Sequence, residues 1–250
     1  MTIREYRLQQ LKTLKGKPFR EKWDYIMEYF GLQILLVIAV IVAGVFFIVK
    51  VASEKDSALS IACINATPNY EQAQDFIQQY AEHAGIDLEE MEVQISTDLI
   101  CTDEKDMVEE NYQSTQRLLA QLTAGELDIL ASDSDTITAY MYQEVFCDLS
   151  QVLTEAQQEA YADKFLYADL TVIEQIQQSS DTIPKIPDAT KPEEMEKPVP
   201  MALRIPRDSD FADRYFHYYS ADIYLGVVLN AQNVENALAF IDYIYGAENG

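Results

Sequence analysis

A run of alternating serines and aspartates is the strongest candidate for a ligand-binding site. Residues 132–136 read SDSDT and directly follow the apolar segment Leu127 to Ala131. Ligands of open α/β sheets bind at the carboxyl ends of strands, which makes Asp133, Ser134 and Asp135 candidate ligand-binding residues. Carboxylates at such a place repel negative charge, so they favour a sugar, a polyol or a cationic ligand over an anion. The alternative is that Asp133 or Asp135 only caps the next helix.

An aromatic cluster is the second candidate. Residues 215–219 read YFHYY. Aromatic rings beside a lone histidine can line a sugar or peptide pocket, and we expect Tyr215, His217 and Tyr218 as its walls. The alternative is that these rings belong to the core of a half-buried strand or helix.

The sequence contains no motif of an enzyme or of a cofactor site. The nucleophile elbow, the phosphate-binding loop, the dinucleotide fingerprint and the HExxH motif are all absent from it. Asp133 and Asp135 lack the spacing of an EF-hand, and the two histidines and three cysteines give no metal-ligand pattern. We therefore predict a protein that is not an enzyme and has no cofactor and no metal.

The cysteines, Cys63, Cys101 and Cys147, have apolar neighbours and are expected as small buried side chains, with one disulfide and one free thiol as the alternative.

Charge is divided unevenly along the chain, whose formal net charge is −24. From Met1 to Lys55 nine basic residues outnumber five acidic ones, and from Asp56 onward nine basic residues face 37 acidic ones. The two parts therefore carry net charges of +4 and −28. A domain as acidic as the second part repels nucleic acid and anionic lipid headgroups, so we predict no nucleic-acid partner.

An apolar segment near the N-terminus predicts a transmembrane helix. Residues 30–49 read FGLQILLVIAVIVAGVFFIV, with Gln33 as the only polar side chain. Twenty helical residues span about 30 Å, the thickness of the hydrocarbon core, and we place the transmembrane helix at residues 30–51. Seven basic residues precede the segment whereas only Lys50 and Lys55 closely follow it.

This asymmetry predicts the orientation of the chain in the cell membrane. By the positive-inside rule, residues 1–29 form a basic cytoplasmic tail and residues 57–250 form an extracellular domain of a single-pass protein. Membrane lipid is then a partner of the transmembrane helix. A cleaved signal peptide is the alternative, and it is disfavoured by the long polar leader and by the lack of a small-residue cleavage pattern.

The elements that must position the two candidate sites follow a β-α-β-α-β order over residues 57–131. Alternation or short apolar runs indicate the strands, helical spacing of apolar side chains indicates the helices, and Thr154 to Gln157 fits a capping box. The proline-rich stretch Ile183 to Pro200 is predicted as a loop. This order predicts a three-layer α/β fold with a mostly parallel sheet. The predicted strands are 57–65, 92–97, 127–131, 199–205 and 223–230, and the predicted helices are 70–84, 106–124, 139–146, from 154 onward, and 233–245.

Two parts of this sequence resemble a known protein family. Residues 124–133 (AGELDILASD), followed by FCDLS at 146–150, resemble the G-x-x-D-I and D-L pattern of extracellular solute-binding proteins of bacterial ABC importers. The ending, residues 226–244, resembles the return strand and last helix of that family. The resemblance implies a periplasmic-binding-protein-like fold. Because only about 195 residues follow the predicted membrane helix, it implies a single lobe or a stunted second lobe.

The resemblance also implies a function. The outer domain is expected to bind a small polar solute or a peptide and to serve an ABC importer through a permease partner. The alternative is a degenerate solute-binding-like domain that acts as a protein-interaction or assembly subunit of a membrane complex. An enclosed cleft at residues 133–136 would favour ligand capture, and a flat surface there would favour a protein partner.

Overall fold

The structure is a computed structural model that describes residues 18–53, 55–101, 108–178, 184–217 and 221–246. The chain divides into two compact units. The first comprises residues 1–54 and the second comprises residues 55–250.

In the first unit, the described residues form one long helix, α1 (Phe19–Ser53), which includes the apolar run of residues 30–49. Most of its apolar side chains between Leu32 and Phe46 are exposed. Among the described residues, we find no helix that has both the length and the apolar character needed to cross a membrane. The transmembrane helix predicted at residues 30–51 stays a prediction, because the side chains at 30 and 47–51 lie outside the described set. The cytoplasmic tail also stays a prediction, because residues 1–17 lie outside the described residues.

The second unit contains a six-stranded sheet with short helices around it. In chain order its elements are β1 (Asp56–Ile64), α2 (Tyr70–Ala84), β2 (Met91–Leu99), α3 (Val108–Ala124), β3 (Ile129–Asp133), α4 (Ser134–Met141), α5 (Leu149–Val152), α6 (Glu155–Ala160), β4 (Phe165–Asp169), α7 (Leu170–Gln178), a 3-10 turn (Pro192–Glu194), β5 (Pro198–Arg204), α8 (Asp210–Tyr215), β6 (Ile223–Val227) and α9 (Val234–Gly246). The α/β class predicted from the sequence is confirmed.

The sheet is mixed, with strand order β2-β1-β3-β6-β5-β4. β1 pairs in parallel with β2 and with β3, whereas the β3–β6, β6–β5 and β5–β4 pairs are antiparallel. The prediction of a mostly parallel sheet is therefore wrong, because three of the five pairings are antiparallel. The alternating order that indicates parallel strands ends at β3, and the periodicity of the later strands says nothing about their direction.

Helices cover both faces of the sheet. Along β1, Leu59, Ile61 and Cys63 join one buried cluster, together with side chains of α2, α8 and α9. Ala62 and Ile64 join a second cluster, together with side chains of α3, α4 and α7. Successive side chains of a strand point to opposite faces, so the sheet lies between two layers of helices.

One strand lies in a segment that was predicted to be helical. Phe165–Asp169 forms β4, although helix was expected from residue 154 onward. A run of five residues is too short to reveal a period of two, and pairing with β5 decides its conformation. The capping box predicted at Thr154 is confirmed: Gln157 N–H donates to Thr154 Oγ1 at 3.3 Å, and Thr154 N–H donates to Gln157 Oε1 at 2.9 Å.

A buried aspartate, Asp128, ties β3 to its neighbours. Its side chain is 2 % exposed, and it accepts hydrogen bonds from Ser60 N–H at 2.9 Å, Asn233 N–H at 2.8 Å and Asn233 Nδ2 at 3.2 Å. Its backbone N–H donates to Ser60 O, and its backbone oxygen accepts from Val228 N–H, each at 2.9 Å. These bonds connect the start of β3 to β1, to the end of β6 and to the start of α9.

A second buried aspartate, Asp169, holds the end of the proline-rich loop. It accepts hydrogen bonds from Thr171 N–H at 2.9 Å, Glu196 N–H at 2.8 Å and Lys197 N–H at 3.1 Å. Burial alone would raise the pKa of Asp169, but these hydrogen bonds outweigh it and hold the pKa below its usual value. The loop therefore enters β5 from a fixed position at the end of β4.

We expect Asp128→Asn to lower the free energy of unfolding of the full chain by about 2–3 kcal/mol. Both carboxylate oxygens accept hydrogen bonds, so the new amide nitrogen would face a buried N–H group whichever way it turned. Urea unfolding followed by circular dichroism measures the change. The matched control is Glu126→Gln, an exposed position two residues earlier, which should change stability by less than about 0.5 kcal/mol. Equal, small effects of the two substitutions would contradict the role of Asp128.

Candidate functional site

A surface pocket of about 480 Å³, broadly open to solvent, lies at the carboxyl ends of the three parallel strands. The chain passes from β1 to β2 on one side and later enters β3 on the other side of β1, so β1 and β3 form a topological switch point. In open α/β sheets, ligands bind in the crevice outside such a point. We name this space the switch-point cavity; it is lined by Asn65, Cys101, Asn111, Asp133, Asp135, Thr136, Ala139, Tyr140 and Gln143.

Asn65, which follows β1 directly, fastens the ends of β1 and β2 together. Its backbone is in the left-handed region with φ of 57°, a conformation that asparagine tolerates better than most residues. Its Nδ2 donates to Cys101 O and its Oδ1 accepts from Cys101 N–H, both at 2.8 Å. The side chain thus continues the β1–β2 pairing past the last strand residues and forms one side of the cavity.

Asp133 ends β3 and caps α4, as the alternative interpretation predicted. Its Oδ1 accepts from Thr136 N–H at 2.9 Å, and its Oδ2 accepts from Thr136 Oγ1 at 2.9 Å and from Ser132 Oγ at 3.2 Å. Partial burial would raise the pKa of Asp133, but these hydrogen bonds outweigh it and keep the pKa below its usual value. The carboxylate is therefore ionised at neutral pH and fixed in orientation.

Asp135 and Ser134 lie in the first turn of α4 and differ in their relation to the cavity. Asp135 is exposed and lines the cavity beside Asp133. Ser134 is partly exposed and does not line it. Of the three polar residues predicted in this segment, the structure brings two to the cavity.

The contact between Cys101 and Tyr140 forms a neutral part of the cavity lining. Cys101 Sγ lies 3.9 Å from Tyr140 Oη. Burial raises the pKa of the Cys101 thiol, and hydrogen bonds from Tyr140 and Thr115 lower it by less. Burial also raises the pKa of Tyr140. Both groups stay protonated at neutral pH, so Cys101 lacks the thiolate that a nucleophile or a metal ligand needs.

The charge of the cavity comes from its carboxylates. Among the described residues that line it, Asp133 and Asp135 are negative and no side chain is cationic. The remaining polar lining consists of amides and hydroxyls, contributed by Asn65, Asn111 and Thr136 among others. This arrangement can bind a neutral polar or a positively charged group by hydrogen bonds and ionic attraction, and it repels an anion.

The aromatic cluster lies away from the cavity lining. Tyr215 is 2 % exposed, its ring packs against Phe76 and Phe211, and its hydroxyl donates to Ala73 O at 3.3 Å. The structure therefore places Tyr215 in the core, which was the alternative to a role as a pocket wall. His217 is exposed, with Nδ1 3.2 Å from Asp213 Oδ1. Tyr218 lies outside the described residues.

Several lining residues were not predicted from the sequence. Asn65 ends the predicted strand 57–65, so the rule that pointed to Asp133 would also have found it. Cys101 lies four residues beyond the predicted strand 92–97, and only the longer observed β2 (Met91–Leu99) brings it close to a strand end. Asn111, Tyr140 and Gln143 are brought to the cavity by the packing of α3 and α4, which no local pattern reveals. The three cysteines are free thiols, and only Cys63 is fully buried.

Metal binding and similarity to known proteins give no further assignment. Among the described residues, no group of three or more His, Cys, Asp or Glu side chains is arranged to hold a metal ion. Comparison with protein-family models, curated proteins and solved structures found no match to this chain.

We expect Asn65→Gly and Asn65→Ala to separate the two contributions of Asn65 to stability. The glycine variant loses both hydrogen bonds to Cys101 but keeps the backbone conformation at little cost. Its free energy of unfolding should be about 1–3 kcal/mol lower than that of the unchanged chain. The alanine variant adds the strain of the left-handed region, a further loss of about 1 kcal/mol. Urea unfolding of both variants measures the difference. An alanine variant as stable as the glycine variant would contradict this interpretation.

Proposed function

We propose that this chain is a membrane-anchored binding module whose outer domain captures a small polar solute or a peptide in the switch-point cavity. One observation carries the proposal. Asn65, Cys101 and Asp133, each at the carboxyl end of a different strand, converge on a space of about 480 Å³. Small-molecule sites commonly measure about 300–1,000 Å³ and occur at topological switch points.

The chemistry of the lining favours a neutral polar or cationic ligand. Asp133 is engaged by three hydrogen bonds from Thr136 and Ser132, whereas the exposed carboxylate of Asp135 meets incoming charge directly. A sugar, polyol, amino compound or short peptide would find amide and hydroxyl partners there. An anion would be repelled by the cavity and by the net charge of −28 on residues 56–250.

The proposed anchor is the apolar segment of residues 30–51. Its support is the length of the uncharged run and the excess of basic residues before it. In this arrangement the protein spans the cell membrane once, with residues 1–29 in the cytoplasm and the binding domain outside.

The proposed partner is a permease of an ABC importer. Its support is the resemblance of residues 124–133 and 146–150 to extracellular solute-binding proteins. In this account the anchor keeps the binding domain close to the permease, so that captured solute is delivered at the membrane surface.

A second candidate function is an assembly or interaction subunit of a membrane complex. The observation that favours it is the single sheet formed by residues 55–246, as far as they are described. A ligand held by one lobe lacks a second lobe that could close over it. A degenerate domain of this kind would use the same sheet edge to contact a protein.

We expect a thermal-shift screen of the full chain, purified in detergent, to find stabilisation by sugars, polyols, amino compounds or short peptides. Asp135→Asn should weaken the binding of a cationic compound by about fivefold, because one partly exposed ionic interaction is lost. Asp133→Ala should weaken binding and also cost about 1 kcal/mol of stability as a lost helix cap. Asp75→Asn, at an exposed position on α2, is the matched control and should leave binding unchanged.

The outcomes of this screen separate the candidate functions. Stabilisation that is equal in the unchanged chain and both cavity variants would mean that the ligand binds elsewhere. No stabilisation by any compound would favour the interaction subunit.

We expect protease treatment of intact protoplasts to remove the C-terminal domain and to spare a tag placed before Met1. The excess of basic residues before residue 30 supports this orientation. Immunoblotting of the tag gives the readout. Protection of the C-terminal domain would mean that the chain has the opposite orientation. A mature chain beginning near Ser53 would mean that the segment is cleaved and does not anchor the protein.

A further inference from the structure

The exposed apolar side chains of the outer domain are concentrated near α3. Tyr112 and Leu119, both on α3, have exposed fractions of 62 % and 46 %, and Leu229, which follows β6, is 63 % exposed. Single exposed apolar side chains are ordinary, whereas neighbouring ones mark an interaction surface. Among the described residues from 55 to 246, the large apolar or aromatic side chains that are exposed are Tyr112, Leu119, Ile186 and Leu229.

Tyr112 and Leu119 lie on one face of α3. They are seven residues apart, which is close to two turns, so their side chains leave the helix on the same side. Arg117 lies about 140–160° away from both around the helix. Its Nη2 lies 2.8 Å from Asp98 Oδ1 on β2. The face that carries Tyr112 and Leu119 is therefore directed away from β2.

Leu229 extends this face at the end of α3. The side chain of the next residue, Asn230, donates from Nδ2 to Leu122 O at 2.7 Å, which ties the chain after β6 to the last turn of α3. Leu122 lies one turn beyond Leu119. We name Tyr112, Leu119 and Leu229 the α3 apolar surface.

The α3 apolar surface begins beside the switch-point cavity. Asn111, which directly precedes Tyr112, is part of the cavity lining. Asp133 and Asp135 make this lining negative, and no cationic side chain belongs to it among the described residues. Asp135 is exposed, so a cation can approach it from solution. A negative pocket and an apolar surface therefore adjoin each other.

The shape of the cavity favours a ligand that continues beyond it. A typical small-molecule site buries most of its ligand, whereas this pocket is broadly open to solvent. A peptide can place one side chain in such a pocket while its backbone leaves through the opening. From Tyr112 to Leu119 the helix rises about 10.5 Å, a length that an extended chain covers in about three residues.

We propose that the switch-point cavity and the α3 apolar surface together bind an extended peptide. A lysine or arginine side chain of the peptide enters the cavity toward Asp135, and two apolar side chains, three residues apart, contact Tyr112 and Leu119. This inference rests on the proposed capture function and deepens it, because it selects a peptide with basic and apolar side chains over a free sugar or polyol.

Isothermal titration of the full chain in detergent with the peptide LSSLKLSSL, blocked at both ends, tests this assignment. Its central lysine has leucines one and four residues away on each side, so either chain direction presents the same pattern. The peptide LSSLELSSL reverses the charge, and SSSSKSSSS keeps the charge but lacks the apolar side chains. Titration into detergent alone corrects for partition of the peptides into micelles.

We expect saturable binding of one LSSLKLSSL peptide per chain, with each comparison peptide bound at least about tenfold more weakly. Leu119→Ala should raise the Kd about fivefold, because it removes apolar area from the contact. Asp135→Asn should raise it by a similar factor through the loss of one ionic interaction. The matched controls are Ile186→Ala and Asp75→Asn, at exposed positions elsewhere, and each should change the Kd by less than about twofold.

Three results would overturn the proposal. The first is no saturable binding of LSSLKLSSL up to about 1 mM, the Kd of a very weak complex. The second is binding of either comparison peptide as tight as that of LSSLKLSSL, because charge or apolar contact would then have no part in recognition. The third is an equal effect of Leu119→Ala and Ile186→Ala. The peptide comparisons use the unchanged chain, so they do not depend on the folding of any variant.

Failure of this inference can be told apart from failure of the proposed function. Binding of a sugar, a polyol or a free amino compound that Asp135→Asn weakens, without binding of LSSLKLSSL, would leave the capture function standing and overturn the peptide assignment alone. Absence of binding by all of these compounds and by the peptide would overturn both.

Discussion

The placement of the switch-point cavity depends on the hydrogen bonds that the buried carboxylate of Asp128 accepts. Removing a carboxylate from water is costly unless hydrogen-bond donors replace the lost hydration. Ser60 and Asn233 provide three such donors, and the backbone of Asp128 adds bonds to β1 and β6. Together they fix where β3 begins. The five residues of β3 then deliver Asp133 to the carboxyl edge of the sheet, where it caps α4 and meets Asn65 and Cys101 across the cavity.

The same sheet edge carries two chemically different cavities. β1, β2 and β3 end at the first, where Asp133 and Asp135 set a negative charge. The end of β5 and the start of β4 form the second, whose lining includes Asp163, Lys164 and Arg204. The antiparallel insertion of β6 between β3 and β5 separates them. A mostly parallel sheet would not have placed the start of β4 beside the end of β5.

The first half of the domain could be predicted closely from the sequence, because alternation, helical spacing and the glycines at the ends of α2 and α3 all agree. The observed β1, α2 and β2 lie within a few residues of the predicted elements. Strand direction after β3 and the existence of β4 could not be predicted, since both depend on pairing between distant segments. At the site, Asp133 and Asp135 followed from their position after a strand. Tyr215 does not line the cavity, because its ring packs against Phe76 and its hydroxyl donates to Ala73 O inside the core.

The most direct test of the account is to fill the switch-point cavity and measure binding. Ala139 is exposed and lines this cavity, so Ala139→Phe should occupy it without disturbing the core. Ala162→Phe adds the same ring at an exposed position outside this lining and is the matched control. Calorimetric titration with the strongest neutral or cationic compound from the screen should show binding by the unchanged chain and by Ala162→Phe, and none by Ala139→Phe. Undiminished binding by Ala139→Phe would contradict the claim that the switch-point cavity is the capture site.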